Sequence, residues 1–303
     1  MKISVIQTQR KFKYEPLSPG TAGKEECLHY SRLEIEEGFE MMERAGSQGA
    51  QLIVTIEGFN ESVSPRDPRY DIRDFVEPLD GPLINRFGKL AKTHSAYVVA
   101  GLYTGREDKA YNSAVLFAPD GSIRGIYDKV HMPYNDDRSF ASGDHYPVFE
   151  TEFGNVAMLI CWDMQFPEPV REVALAGADL IACPTQGWEP IYGPCRAYEN
   201  GVSLAVAMYV PYGRDLWDDC DPSCIIDNRG KVVAAASRRG SDIASADIDL
   251  KQEPPPQYGA EQFTGMRSMR EIRMSQRRPD TYRLIARDNP PILARYANKT
   301  PKV

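Results

Sequence analysis

An α/β fold of layered sheets is predicted for this 303-residue chain by three observations. Short apolar segments of strand character alternate with segments of helical period along most of the chain. Several of the strands are apolar at nearly every position, as expected where both faces of a sheet are covered. No Pro, Ser or Gly-rich linker interrupts the middle, so the alternation belongs to a single domain. Hydrophobic residues at 42% and charged residues at 26% place the chain among folded globular proteins, and its length allows a large core. A net charge of -7, from 36 Lys+Arg against 43 Asp+Glu, offers no positive field for a phosphate backbone or an anionic membrane. A small-molecule partner is favoured.

The elements follow in order. KISVIQ (2–7) is a strand, 31–46 has helical spacing, and AQLIVTIE (50–57) is a buried strand. Residues 83–94 form a helix and AYVVAGLY (96–103) a strand. NSAVLFA (112–118) and SIRGIYDK (122–129) make a hairpin turned by Pro119-Asp120-Gly121. FETEF (149–153) and NVAMLICW (155–162) flank Gly154, and then come helix 168–177, strand ADLIACP (178–184), a helix near 194–201 and strand SLAVAMY (203–209). SCIIDNRGKVVAAAS (223–237) repeats the strand-turn-strand layout of 112–127, which hints at two related halves.

The domain is expected to occupy residues 1–250. From 251 KQEPPPQYG breaks the pattern, and 251–303 hold 11 Lys+Arg against 5 Asp+Glu, a balance of +6 beside a body of -13. This extension carries Tyr282, Leu284, Ile285, Ile292, Leu293 and Tyr296, and is expected to be ordered and to pack on a neighbouring subunit. The amino terminus lacks the apolar core of a secretory signal, and no run reaches the roughly 20 apolar residues of a membrane helix, so a cytoplasmic location is expected. Six scattered cysteines are too sparse for a disulfide framework and read as thiols.

One cysteine stands at a position suited to chemistry. In MLICWDMQFPE (158–168) an apolar strand runs into Cys161 and then into polar residues and a helix start, where backbone N–H groups can lower a thiol pKa and face an oxyanion. Glu57 and Lys129 close two other apolar strands. Singly, each reads as an ordinary solvated terminal charge; together they offer a nucleophile, a base and a cation for developing negative charge. Cys220-x3-Cys224 lacks the second pair a zinc site needs, and GSQGA (46–50) lacks the Lys-Ser/Thr of a phosphate loop. His131 is the one histidine near the candidate residues, in a supporting role, and Trp188, Tyr192 and Tyr198 are candidates for a pocket wall.

These segments resemble the carbon-nitrogen hydrolases of the nitrilase superfamily: ISVIQ, Glu57 after LIVTI, DKVHMP with Lys129, CWDMQFPE with Cys161, GADLIACPT (177–185), RAYENG (196–201) and CIIDNRGKVVA (224–234), all in the family's order. The resemblance implies a four-layer α-β-β-α sandwich, homodimers paired through the helices after the nucleophile strand, and cleavage of non-peptide C–N bonds without metal or cofactor. It gives Cys161 the role of nucleophile, Glu57 that of acid-base and Lys129 that of stabilising the tetrahedral intermediate, with the Trp162 backbone N–H as second oxyanion donor. A further family glutamate normally precedes the Phe-x-x-Gly element, here Phe140 to Gly143. Asp136-Asp137 stand there instead, and Asp136 matches best. Asp163, two residues after the nucleophile, points to amides rather than nitriles, and the chain has no room for the second domain of a glutamine-dependent synthetase. The implied activity is hydrolysis of a small linear amide or N-carbamoyl (ureido) compound through a cysteine thioester, releasing ammonia or amine. The alternatives are a nitrilase and a non-catalytic binding or scaffold member.

Overall fold

The first strand, β1 (Lys2–Gln7), is almost wholly buried and pairs on both sides, parallel with β2 (Leu52–Val54) and antiparallel with β13 (Asp242–Asp247). This computed structural model describes residues 1–11, 23–133, 136–288 and 290–295, with the side chains of Asp137, Phe263, Ala294 and Arg295 outside the description. Beyond β2 the sheet continues through β4 (Tyr97–Arg106), β5 (Lys109–Phe117) and β6 (Ile123–Asp128), and the two-residue β3 (Glu77–Pro78) pairs with β4. The second sheet runs β12-β11-β10-β9-β8-β7, where β7 is Val148–Thr151, β8 Gly154–Met158, β9 Leu180–Thr185, β10 Ser203–Met208, β11 Cys224–Ile226 and β12 Val232–Ala235.

The two sheets pack face to face through β1 on β10 and β2 and β4 on β9. Helices α1 (Lys24–Ser47) and α2 (Pro82–His94) cover the first sheet. On the second, α4 (Tyr192–Asn200) packs against β10 and β11, with α3 (Pro167–Leu175) beside it. This is the four-layer α-β-β-α sandwich. The interface between α1, α2 and their sheet is closed by four phenylalanines, with Phe87 5.7 Å from Phe117, 4.8 Å from Phe39 and 5.4 Å from Phe59 between ring centroids.

Each sheet uses the same plan. Three parallel strands (β1-β2-β4 or β8-β9-β10) are followed by two antiparallel ones (β5-β6 or β11-β12), and the opposite edge carries one antiparallel strand (β13 or β7). The segments 112–127 and 223–237, similar in sequence, therefore occupy corresponding hairpins. In the first of these the Asp120 carboxylate accepts from the Ser122 N–H and hydroxyl while Gly121 takes a φ of 91°, which fixes the turn.

Several boundaries differ from the expected ones. α1 begins at Lys24, because its first turns, KEECLHY, carry a single buried apolar residue, Cys27, and show no period. The strand expected over 50–57 keeps ladder geometry only for Leu52–Val54: the Thr55 hydroxyl replaces a backbone acceptor by taking the Gly101 N–H at 3.1 Å. The strand expected to reach residue 162 ends at Met158, and Cys161–Gln165 form a short 3-10 helix. Strand β13 is polar and alternates weakly, so its periodicity does not announce it.

By contact density the chain separates into Met1–Pro254 and Pro255–Val303. The second unit holds α5 (Ala260–Thr264) and α6 (Met269–Ser275), the latter capped by the Ser268 hydroxyl on the Glu271 N–H at 3.0 Å. Its Tyr282, Leu284, Ile285, Ile292 and Leu293 are 40–62% exposed, and Tyr296 lies outside the described residues. Among the described residues no helix is long and apolar enough to cross a membrane.

Candidate active site

Glu57 lies in the loop after β2, where the chain passes between the sheets. Gly101 of β4 makes room for it: a Cβ there would stand 3.0 Å from the Glu57 Cα and 2.7 Å from the Pro184 Cβ. The Glu57 carboxylate is buried, and its Oε1 accepts from Lys129 Nζ at 2.7 Å and from Asn112 Nδ2 at 2.8 Å. Its Oε2, equally buried, has no hydrogen-bond partner among the described residues.

Lys129 follows β6. Its N–H still donates to the Asn112 carbonyl at 2.9 Å, and its carbonyl accepts from the Gly143 N–H at 2.9 Å, so the backbone is held on both sides. A Cβ at Gly143 would stand 3.0 Å from the Asp128 carbonyl carbon and collide with the Asp128 oxygen, which explains the glycine that ends Phe140-Ala-Ser-Gly143. The ammonium is 1% exposed. Burial alone would pull its pKa down, but the adjacent Glu57 carboxylate, reinforced by Cys161 and Asp163, more than offsets this and holds it above the ordinary lysine range.

Cys161 opens the short 3-10 helix with φ 45°, a left-handed conformation that a non-glycine residue adopts only when its surroundings impose it. Its Sγ lies 4.0 Å from the Gly187 carbonyl oxygen, which also accepts from the Thr185 hydroxyl at 2.6 Å and the Tyr192 hydroxyl at 3.2 Å. Burial and the Glu57 carboxylate push the thiol pKa up to about 11, against the smaller opposing effects of Lys129, the Thr185 hydroxyl and the Gln186 N–H. The expectation of a thiol pKa lowered by the turn is therefore corrected. Backbone N–H groups are present, yet desolvation and a neighbouring anion prevail.

Asp136 is brought to the same place. It is buried, and its carboxylate is clasped by Arg66, with Nη2 donating to Oδ2 at 2.9 Å and Nε 2.8 Å from Oδ1. Burial pushes its pKa up, while Arg66 and Lys129 oppose that and Glu57 adds to it. The side chain of Asp137 lies outside the described residues. Arg66 was not marked by the sequence, because a lone arginine in a loop rich in Pro and Ser gives no pattern.

Glu57, Lys129, Asp136, Cys161 and Trp162 all line one cavity of about 460 Å³, a size suited to a small molecule. Its walls come from three stretches: Glu61, Pro65 and Arg66; Gln186 to Glu189 with Tyr192; and Tyr209, Arg214, Trp217, Asp219 and Cys220. The third stretch was missed, since residues 209–220 carry no strand or helix period. Trp188 and Tyr192 stand in the wall as expected, whereas Tyr198 is 45% exposed on α4 and takes no part. Asp163 is not among the lining residues. It is fully buried behind Cys161, so its bearing on substrate class cannot come from contact.

Comparisons with known proteins supply the family. The carbon-nitrogen hydrolase sequence profile matches residues 34–253. The chain is 33% identical over 227 residues to a nitrilase of Pyrococcus abyssi (strain GE5 / Orsay), covering 73% of this chain and 84% of that one. It is 25% identical over 285 residues to the N-carbamoylputrescine amidase of Oryza sativa subsp. japonica, covering 86% and 91%. The crystallised NitN amidase from Neterenkonia sp. AN1 has the same fold, with a TM-score of 0.69 at 22% identity over 93% of this chain and 98% of that one. A profile spanning most of the first unit, and a relative one-third identical along most of both chains, lead to one conclusion: this protein belongs to the carbon-nitrogen hydrolase family and is an enzyme of that class.

Proposed function

We propose that the protein hydrolyses a small linear amide or N-carbamoyl (ureido) compound through a thioester on Cys161. The observation that carries this reading is the buried Lys129–Glu57 pair, 2.7 Å apart, on the same cavity as the thiol. Glu57 Oε2, without a hydrogen-bond partner among the described residues, takes the Cys161 proton as sulfur bonds to the substrate carbon. The carbonyl oxygen becomes an oxyanion held by the Lys129 ammonium and the Trp162 N–H. The C–N bond then breaks, the proton on Glu57 passes to the departing nitrogen, and ammonia or an amine leaves. Water attacks the thioester, giving its proton to Glu57, and the C–S bond breaks with return of a proton to sulfur. Because the resting thiol is held protonated, this scheme needs the base at the moment of attack rather than a standing thiolate.

Ammonia release from a panel of amides, ureido acids and nitriles tests the reading, with products identified by mass. Turnover of amides or ureido acids that Cys161→Ser abolishes supports it; nitriles as the only substrates turned over would replace it. Pairing of two copies through α3 and α4 belongs to the same proposal. Leu175, Ile191 and Tyr198 on and beside these helices are 41%, 75% and 45% exposed, an apolar set that a second copy would cover. Light scattering checks it: a monomer at micromolar concentration would refute it.

A further inference from the structure

We infer that Asp163 is the positioning residue that fixes Lys129 and Cys161 relative to each other across the two sheets, by binding both catalytic segments at once. Its carboxylate is 0% exposed and is fully used. On the second-sheet side, Oδ2 accepts from the Ile160 N–H at 2.9 Å, immediately before Cys161. From the first sheet, Oδ2 accepts from the Tyr127 hydroxyl at 2.7 Å, and Oδ1 accepts from the His131 N–H and His131 Nδ1, both at 3.0 Å. Tyr127 and His131 stand two residues either side of Lys129. Since a carboxylate only accepts, Nδ1 carries the ring proton. The His131 ring in turn stacks on Phe166, at the end of the 3-10 helix that Cys161 opens, 4.1 Å between centroids and 19° apart.

The segments thus joined have no strand pairing between them. Lys129 follows β6 at an edge of the first sheet, and Cys161 follows β8 of the second. A left-handed Cys161 needs its surroundings to impose the conformation, and the Ile160 N–H bond to Asp163 does so from the preceding residue. Asparagine cannot substitute. Whichever way its amide turns, the NH2 group meets a backbone N–H, that of Ile160 or that of His131, and one donor is left unpaired.

This inference rests on the thioester reading above, and the test separates the two. Asp163→Asn, Tyr127→Phe and Cys161→Ala are compared with the wild type by iodoacetamide labelling with peptide mapping at fixed pH, and by ammonia release per folded molecule. Labelling is normalised to the amount of folded protein, and the buried Cys183 reports any unfolding. The expected result for Asp163→Asn is Cys161 labelling slowed about 10-fold and kcat lowered about 30-fold with KM within about 3-fold. Tyr127→Phe, which removes one of the four bonds, should show the same pattern at about 5-fold in kcat, and decides the matter if Asp163→Asn does not fold. A merely structural role has the opposite labelling signature, because a loosened site exposes a half-buried thiol further and speeds its alkylation. Faster labelling, or wild-type kcat in a folded variant, overturns the inference while an inactive Cys161→Ala leaves the thioester reading standing; an active Cys161→Ala overturns both.

Discussion

The two sheets share one strand plan but end it in opposite chemistry. In the first, the middle parallel strand runs out into Glu57 and the hairpin into Lys129, and the two charges neutralise each other at 2.7 Å. In the second, the corresponding hairpin β11-β12 ends without a residue in the cavity, and Cys161 follows the first parallel strand, β8. The difference teaches that the fold supplies positions, not functions. An ion pair that is buried with its partner is set by its sheet. A thiol in a left-handed turn must be set by what surrounds it.

Removing the proposed nucleophile beside the second sheet has the largest expected effect. Cys161→Ala should abolish ammonia release with the melting temperature within a few degrees of wild type, since the residue is neither large nor a hydrogen-bond hub. Retained turnover would break the division of labour between the sheets. On the first sheet, Glu57→Gln and Lys129→Met should each lower kcat by at least ~100-fold, as measured in steady-state assays. Lys129→Met should also cost stability by chemical denaturation, because it strands a buried carboxylate.

The pH dependence of labelling sharpens the same contrast. The Cys161 thiol, raised to about 11 chiefly by burial and then by Glu57, should alkylate ever faster as pH rises toward that value. In Glu57→Gln the raising charge is gone while Lys129 remains, so the midpoint should move down. An unmoved midpoint would show that the two sheets are not electrostatically joined. Asp136→Asn should reduce kcat/KM by about 10-fold, through loss of the carboxylate that Arg66 clasps, and Arg66→Ala should do likewise. The smallest expected effect on chemistry is that of Gly143→Ala, which crowds the Asp128 carbonyl and should lower stability by about 1–3 kcal/mol in denaturant titration.

The layered fold and the candidate residues Glu57, Lys129 and Cys161 were legible because both live in local pattern. LIVTIE, IYDKVH and MLICWD each show an apolar run closed by a single ionisable group, and the strands around Leu52–Val54, Tyr97–Arg106 and Leu180–Thr185 are apolar enough to declare burial. What stayed hidden depends on distant residues. The thiol pKa is pushed up rather than down first by burial and then by Glu57, which acts on Cys161 from the other sheet. Arg66 meets Asp136 across a separation of 70 residues, and Asp163 meets Tyr127 across 36. Asp163 was read for its effect on substrate choice, yet its side chain is turned into the protein.

Much of the cavity wall comes from three stretches outside the sheets, while Glu57, Lys129 and Cys161 follow strands β2, β6 and β8. This separation has a consequence for how the protein can change over generations. Gly187 and Arg66 are tied to Cys161 and Asp136, but substitutions in 209–220 alter the shape offered to a ligand without removing any contact of the Lys129–Glu57 pair or of the turn at Cys161 described above. Natural variation and laboratory libraries should thus find new acceptable molecules far more readily than new reactions, and the chain is well suited to selection schemes that diversify 209–220 alone.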